Sequence, residues 1–242
     1  MDTKYALDDL TEVLQAPNLD AIVVPKVNSA SDLHFVTDVI RHTLFRSETD
    51  SPRKPPSIIA LIESARALTD LNSICRASPH LSGLIFAAED FALDLSITRT
   101  PNLTEFLFAR SAIVTAARAH NLPSAIDLVC TQFKGEQGLK TLEEECRGGK
   151  NLGFNGKQLI HPSQVEICQK VYGPGEEEVE WAIRVCIADE KADKAGRGAW
   201  TLDGKMIDAP VSGKARVIVK KAEAAGFDVS HLREKWKHQE PE

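Results

Sequence analysis

The chain has 242 residues, of which 43% are hydrophobic and 26% charged, and a formal net charge of -6. This balance gives no support for a nucleic-acid or membrane-surface partner, and no apolar run reaches the roughly 20 residues that a transmembrane helix needs. The acidic first 20 residues do not resemble a signal or transit peptide. We therefore expect a soluble intracellular protein, cytoplasmic by default, or mitochondrial if a longer form carries a transit peptide.

Short apolar runs alternate with amphipathic stretches over the first two thirds of the chain. The first three predicted strands are "AIVVPKV" (21–27), "IIALIES" (58–64) and "GLIFAAED" (83–90). The fourth is "AIDLV" (125–129), and "GFNGKQLIHP" (153–162) contains the fifth. A helical pattern accompanies each run. Five β-α units with strands that are apolar on both faces predict an α/β fold with a parallel sheet covered by helices.

The last third of the chain changes character. Two helical patterns, "GEEEVEWAIRVCIADEKA" and "GKARVIVKKAEAAG", are joined by the predicted loop "GRGAWTLDGKMIDAP", and "HLREKWKHQEPE" is typical of a solvated tail. The expected organisation is a β/α domain over 1–172, a helical extension over 173–230 and a polar tail over 231–242. The five cysteines are scattered and form no C-x-x-C, which predicts reduced, mostly buried thiols.

Polar side chains stand near the carboxyl ends of the predicted strands, where parallel α/β folds bind ligands. They are Lys26, Glu63, Glu89, Asp90, Asp127 and His161. Neighbouring carboxylates repel each other unless a cation lies between them, and an oxygen-only pair suits a hard ion such as Mg²⁺. The alternative is that each carboxylate caps the helix that follows it. From the residues alone, the prediction stops at an α/β enzyme with an acidic site.

Several stretches resemble one known family. They are "AIVVPKVNSASDL", "LIESARAL", "GLIFAAEDFALDL", "LGFNGKQLIHPSQ" and "GAWTLDGKMIDAPV", in this order. Together they make residues 8–226 similar to citrate lyase beta-subunit-like proteins of the HpcH/HpaI aldolase type. The resemblance implies a (β/α)₈ TIM barrel, of which this sequence holds strands four to eight and lacks the segments of the first three.

The resemblance also implies roles for individual residues. Glu63 and Asp90 match the family's two Mg²⁺ ligands, and Asp208 matches an acid–base residue that a neighbouring subunit contributes in a homo-oligomer, a trimer or a hexamer. Glu89, Lys26 and His161 are candidates for substrate contacts. The alternatives are an ion-pairing role for Lys26 and, for His161, a structural turn with Ser163 as the N-cap.

Three residues outside these matches also have expected roles. Asp127 could hold an internal network as well as touch the substrate. Arg99 is a weaker candidate for an anion contact, and Trp200 is expected to pack against the C-terminal segment.

The activity that the resemblance implies is that of an Mg²⁺-dependent oxo-acid-lyase. It would cleave a carbon–carbon bond in a short hydroxyacyl-CoA thioester, citramalyl-CoA or malyl-CoA, to acetyl-CoA and a keto acid. The alternative is a catalytically inactive remnant, or a partner subunit of a full-length relative, because the family's substrate-binding arginines belong to the absent strands. A third possibility, an aldolase of free keto acids, is disfavoured by the "DGKMID" motif.

Overall fold

The computed structural model describes residues 3–45, without the side chain of the last, and 53–242. The chain divides into two compact units, Met1–Cys168 and Gln169–Glu242. No helix in the described part of the chain is long and apolar enough to cross a membrane.

The first unit is built on a five-stranded sheet in which every neighbouring pair of strands is parallel and the strands lie side by side in chain order. The strands are β1 (Ala21–Val24), β2 (Ser57–Ile62), β3 (Leu81–Phe86), β4 (Ser124–Asp127) and β5 (Gly156–Lys157). The predicted α/β class and parallel sheet are confirmed. The predicted strands were too long at their carboxyl ends, because the polar residues there already belong to the following turns or helices.

Helices of the first unit follow or precede each strand. They are α1 (Ala6–Val13), α2 (Ala30–Phe45), α3 (Ala65–Thr69), α4 (Leu71–Arg76), α5 (Ala88–Leu95), α6 (Leu107–Ala119), α7 (Gly135–Leu152) and α8 (Val165–Tyr172), which crosses the unit boundary. The single helix predicted after β2 is broken in two at Asp70. Its start is fixed by Ser64, whose hydroxyl accepts a hydrogen bond from the Ala67 N–H.

The core of the first unit lies against the central strands. Phe86 at the end of β3 packs edge-to-face on Phe91 and Phe106, with ring centroids 5.3 and 5.7 Å apart. Gly83 is required in β3, since a Cβ there would come within 2.7 Å of the Ser124 Cβ on β4. Strand β1 differs from the expectation of strands buried on both faces, because its side chains alternate between exposed and buried.

The second unit contains a hairpin within the stretch "GRGAWTLDGKMIDAP", which was predicted to be a loop. The elements of the second unit are α9 (Glu176–Lys194), β6 (Trp200–Leu202), β7 (Lys205–Ile207), α10 (Ala209–Ala224) and α11 (Val229–Lys235), and β6 and β7 form the hairpin. Strands β6 and β7 pair in antiparallel fashion around Asp203 and Gly204, both with positive φ, as an Asp-Gly hairpin turn requires. Trp200 is buried in the core of this unit, in agreement with its expected packing role.

The end of the chain also differs from the predicted solvated tail. Helix α11 packs Leu232 against the core of the second unit, and the Trp236 indole N–H donates to Glu180 at 2.7 Å. The backbone of Glu242 exchanges two hydrogen bonds with Thr201 of β6, each of 3.0 Å. Apolar side chains spaced among the charges therefore hold this segment onto the unit. The domain boundaries expected at 172 and 230 stay predictions.

All five cysteines are free and buried, in agreement with the expectation of reduced interior thiols. They are Cys75, Cys130, Cys146, Cys168 and Cys186.

Candidate functional site

Three of the predicted site residues meet beyond the carboxyl ends of β1 to β3. Lys26 follows β1, Glu63 follows β2 directly, and Asp90 lies near the start of α5. The Lys26 Nζ lies 2.5 Å from Asp90 Oδ1 and 3.5 Å from Glu63 Oε2. We call these three side chains the Lys26 cluster. The two carboxylates predicted to bind a metal thus converge on one ammonium group.

Glu63 is the buried member of the Lys26 cluster, with a side chain only 3% exposed. Besides the ammonium, the backbone N–H of Lys26 donates a hydrogen bond to Glu63 Oε1. Lys26 has a φ of 54°, a left-handed conformation that costs a residue other than glycine about 1 kcal/mol. The hydrogen bond with Asp90 and the charge of Glu63 raise the pKa of Lys26 above its ordinary value. Both the backbone and the side chain of Lys26 therefore contact Glu63.

Glu89 and Asp90 were predicted at the end of a strand and instead lie in the first turn of α5. The strand ends at Phe86, and the helix begins two residues later. Carboxylates are favoured in a first helical turn by its unpaired N–H groups and by the helix dipole. The N-cap, Ala87, has no side-chain hydrogen bond to offer. Glu89 and Asp90 therefore lie at a helix terminus, as the alternative interpretation from the sequence has it. Asp90 also contacts Lys26.

Sequence reasoning missed the side chains that hold the loops around the Lys26 cluster. The Ser64 hydroxyl donates to the Asn28 side-chain oxygen at 2.5 Å, which joins the loops after β1 and β2. Asp32 accepts from the Asn28 backbone N–H at 2.9 Å, and Asp94 accepts from the Ala65 N–H at 2.8 Å. For Ser64 and Asp32 the available signal was the residue type, since Ser and Asp commonly bind backbone groups near them in the chain. The Asp94 contact joins residues 29 apart and gave no such signal.

Glu89 points into a different set of charges. It pairs with Arg99 at 2.5 Å, and Arg99 also donates to Glu145 at 2.9 Å. The other oxygen of Glu145 lies 2.9 Å from the buried ammonium of Lys157. We call these four residues the Glu145 network. Arg99 is therefore engaged by carboxylates of the chain itself, and Lys157 gave no signal in the sequence because a lysine in a short strand usually faces solvent.

Asp127 lies at the carboxyl end of β4. It is fully buried and accepts two hydrogen bonds from Arg110, at 3.0 Å from Nε and 2.6 Å from Nη2. The sequence left open whether Asp127 holds an internal network or touches the substrate, and the structure shows the internal network.

His161 is exposed and belongs to a turn. Its ring stacks on Phe133 with centroids 4.9 Å apart, and its Nδ1 lies 2.8 Å from the Ser163 hydroxyl. The prediction of Ser163 as N-cap is wrong: the His161 ring caps the 3₁₀ turn Pro162–Gln164 by accepting from the Ser163 N–H. Among the described residues, the His161 side chain contacts Phe133 and Ser163 and not the Lys26 cluster.

Asp208 belongs to the second unit and is the N-cap of α10. Its Oδ1 accepts a hydrogen bond from the Val211 N–H at 3.2 Å. This contact accounts for an aspartate at the start of a helix. This hydrogen bond uses one of the two carboxylate oxygens of Asp208.

The Lys26 cluster fits a hard divalent cation in donor type and in charge. Mg²⁺ commonly binds through one or two carboxylates and completes its shell with water and substrate oxygens. Glu63 and Asp90 supply two carboxylates against one ammonium, which leaves one negative charge in excess. Within residues 3–45 and 53–242, no three or more His, Cys, Asp or Glu side chains form a ready-made metal site. A groove of about 300 Å³ beside the cluster is lined by residues of α1 and β1 and by Lys26.

The fold and the cluster define a parallel α/β protein with an acidic site beyond the carboxyl ends of its strands, the usual ligand-binding position of such folds. Residues 1–162 match the HpcH/HpaI aldolase/citrate lyase family, and the chain belongs to that family. The resemblance inferred from the motifs is confirmed.

Relatives and solved structures agree on this assignment. Citrate lyase subunit beta of Escherichia coli is 36% identical over 94% of this chain and 73% of its own length. A (3S)-malyl-CoA thioesterase of Cereibacter sphaeroides is 35% identical over 95% of this chain and 74% of its own length. The structure of CitE from Mycobacterium tuberculosis, in complex with magnesium, acetoacetate and coenzyme A, matches with a TM-score of 0.67 and 28% identity, over 92% of this chain and 75% of that one.

Proposed function

We propose that this chain is an Mg²⁺-dependent carbon–carbon lyase that cleaves citramalyl-CoA or malyl-CoA to acetyl-CoA and a keto acid. The observation that carries the proposal is the convergence of Glu63 and Asp90 on one ammonium, which leaves an uncompensated negative charge at the expected ligand-binding edge. A solved relative described with both magnesium and coenzyme A supports it.

Glu63 and Asp90 would hold the Mg²⁺, with water and substrate oxygens as the remaining ligands. When bound, the ion would act as a Lewis acid on the substrate oxygen that becomes the keto group. The buried Glu63, fixed by the Lys26 backbone N–H, keeps one oxygen ligand in a constant position.

The residues of the chain supply binding and a proton. The Lys26 ammonium and the free N–H groups at the start of α5, beside Glu89, would bind the substrate carboxylate. As the carbon–carbon bond breaks, the hydroxyl would give its proton to the Asp208 carboxylate, and the electron pair of the bond would pass to the thioester enolate. Asp208 would then protonate the enolate carbon as general acid. His161, exposed and stacked on Phe133, is our candidate for a contact with the CoA part.

We further propose that the five strands correspond to strands four to eight of a (β/α)₈ barrel. In this proposal, Asp208 reaches the site from a neighbouring copy in a homotrimer or homohexamer. The family assignment supports the first point. The second rests on the likeness of the "DGKMID" motif to that family.

The test is to incubate the purified chain with citramalyl-CoA or malyl-CoA, with Mg²⁺ or with EDTA, and to measure acetyl-CoA by chromatography. We expect the wild type to release acetyl-CoA in the presence of Mg²⁺ and not in EDTA. We expect this release to be lost in Glu63→Gln and in Asp90→Asn. Glu143→Gln is the matched control, because Glu143 is an exposed carboxylate that pairs with Arg147 on the same helix. Absence of any product from a folded sample would contradict the proposal and favour a non-catalytic chain.

A second candidate is hydrolysis of the thioester, favoured by the 35% identity to a (3S)-malyl-CoA thioesterase. The two reactions of malyl-CoA give different products. The lyase gives acetyl-CoA and glyoxylate, whereas the thioesterase gives malate and free CoA. A thiol reagent detects free CoA in the same reaction mixtures. Formation of free CoA without acetyl-CoA would contradict the lyase activity and support the thioesterase activity.

A further inference from the structure

The ammonium of Lys26 lies where a cation between the two carboxylates is expected. It is 2.5 Å from one carboxylate oxygen of Asp90 and 3.5 Å from one of Glu63. One ammonium carries one positive charge and cannot neutralise two carboxylates. The same position, with two oxygen donors and an excess negative charge, suits a divalent ion better.

We propose that the Lys26 side chain is a built-in counter-cation, which competes with a divalent metal ion for Glu63 and Asp90 and thereby sets the affinity of the site. The proposal rests on the proposed function in one respect, namely that these two carboxylates are the metal ligands. It assigns to Lys26 a role toward the metal that is separate from any contact with substrate.

The exposure of the cluster allows the ammonium to leave. The side chains of Lys26 and Asp90 are 54% and 49% exposed, so their ion pair is partly solvated and weak. The flexible lysine side chain can turn into solvent without moving the backbone. The hydrogen bond from the Lys26 backbone N–H to Glu63 does not depend on the ammonium and remains as the side chain moves.

The burial of Glu63 explains why a counter-cation is needed in the absence of metal. An uncompensated carboxylate that is 3% exposed is costly, and a second carboxylate beside it raises that cost. Removing the ammonium should therefore have two opposite effects. The metal-free protein loses stability, and the metal ion gains affinity because it no longer displaces a competitor.

The experiment is calorimetric titration of the full chain with Mg²⁺, in the absence of any acyl-CoA. Lys26→Met removes the charge and keeps the backbone N–H and most of the side-chain length. We expect its dissociation constant for Mg²⁺ to fall about fivefold, the upper end of what the removal of one partly exposed competing ion pair contributes. Lys26→Arg keeps the charge and should bind Mg²⁺ as the wild type does. Lys140→Met, on an exposed part of α7, is the control for net charge.

Thermal unfolding gives a second readout. We expect Lys26→Met to melt at a lower temperature than wild type in EDTA and to show a larger upward shift on addition of Mg²⁺. Lys26→Gln, which is shorter and also neutral, takes its place if Lys26→Met does not fold.

Unchanged or weaker Mg²⁺ binding in a folded neutral variant would overturn the inference, while acetyl-CoA release by the wild type would still support the lyase. Tighter binding in the neutral variant together with no acetyl-CoA release by the wild type would support the inference and contradict the lyase. No binding by any variant would overturn the inference as well.

Discussion

The charged side chains at the carboxyl ends of the sheet form two groups that differ in how their charges are balanced. The first is the Lys26 cluster, and the second is made of the Asp127–Arg110 pair and the Glu145 network. Beyond β2 and β3, two carboxylates of the Lys26 cluster share one ammonium. At the end of β4, Asp127 has a partner of its own in Arg110, which binds it through two nitrogens. Beyond β5, the Glu145 network contains two carboxylates and two cations. The first group alone has carboxylate in excess.

The two groups also differ in access to solvent. Asp127 and Arg110 are both buried, whereas Lys26 and Asp90 are about half exposed. Buried carboxylates with matched cations hold the fold, because they have no charge left to offer to a ligand. Excess carboxylates with a solvent-exposed edge can take a cation from outside. The comparison therefore predicts that substitutions in the first group change ligand binding and that substitutions in the second change stability.

The largest effect on stability is expected from Asp127→Asn. This change leaves the Arg110 guanidinium buried without its counter-charge, which typically costs about 3–5 kcal/mol. Urea unfolding of the metal-free protein measures the difference. Glu143→Gln removes a half-exposed carboxylate from an i,i+4 pair in the same unit and should cost no more than about 0.5 kcal/mol. A cost below about 1 kcal/mol for Asp127→Asn would mean that the buried pair is not a structural element.

A smaller effect is expected from Lys157→Met. The variant removes a buried cation from Glu145, but Arg99 remains 2.9 Å from that carboxylate. We therefore expect a loss of about 2 kcal/mol, below the usual cost of leaving a buried charge without any partner. The same urea titration measures it. A loss as large as that of Asp127→Asn would show that Arg99 does not compensate and that the network depends on its lysine.

The sequence was sufficient for the sheet and for the Lys26 cluster because both depend on local patterns. Each strand is a short apolar run, and parallel strands that follow one another in the chain bring their ends together without further information. Glu63 and Asp90 follow neighbouring strands, so their proximity could be predicted. The start of α5 could not be placed, because "AAED" continues an apolar run and also begins a helix well.

The Glu145 network could not be predicted, since its members lie on helices, a loop and a strand and do not follow the ends of neighbouring strands. Arg99 and Glu145 are separated by 46 residues and lie on a loop and on a helix. No periodic pattern indicates that a helical glutamate will meet a lysine of the next strand. The hairpin at Trp200–Ile207 was missed for a different reason, because strands of three residues are too short to show an alternation. The Asp-Gly pair was the signal for it.

Apart from the Glu143→Gln control, the smallest effect on stability, and the sharpest test of the comparison, is expected from Glu63→Gln. The glutamine oxygen can still accept the Lys26 backbone N–H, and the ammonium keeps Asp90, so the free energy of unfolding in EDTA should change by no more than about 1 kcal/mol. At a Mg²⁺ concentration of 100 times its dissociation constant, the wild type should gain about 2.7 kcal/mol. We expect this gain to vanish in Glu63→Gln and to persist in Asp127→Asn. The reverse result, a large loss of stability in Glu63→Gln with the Mg²⁺ response retained, would make Glu63 a structural residue like Asp127. The excess of carboxylate in the Lys26 cluster would then have no ligand to explain it.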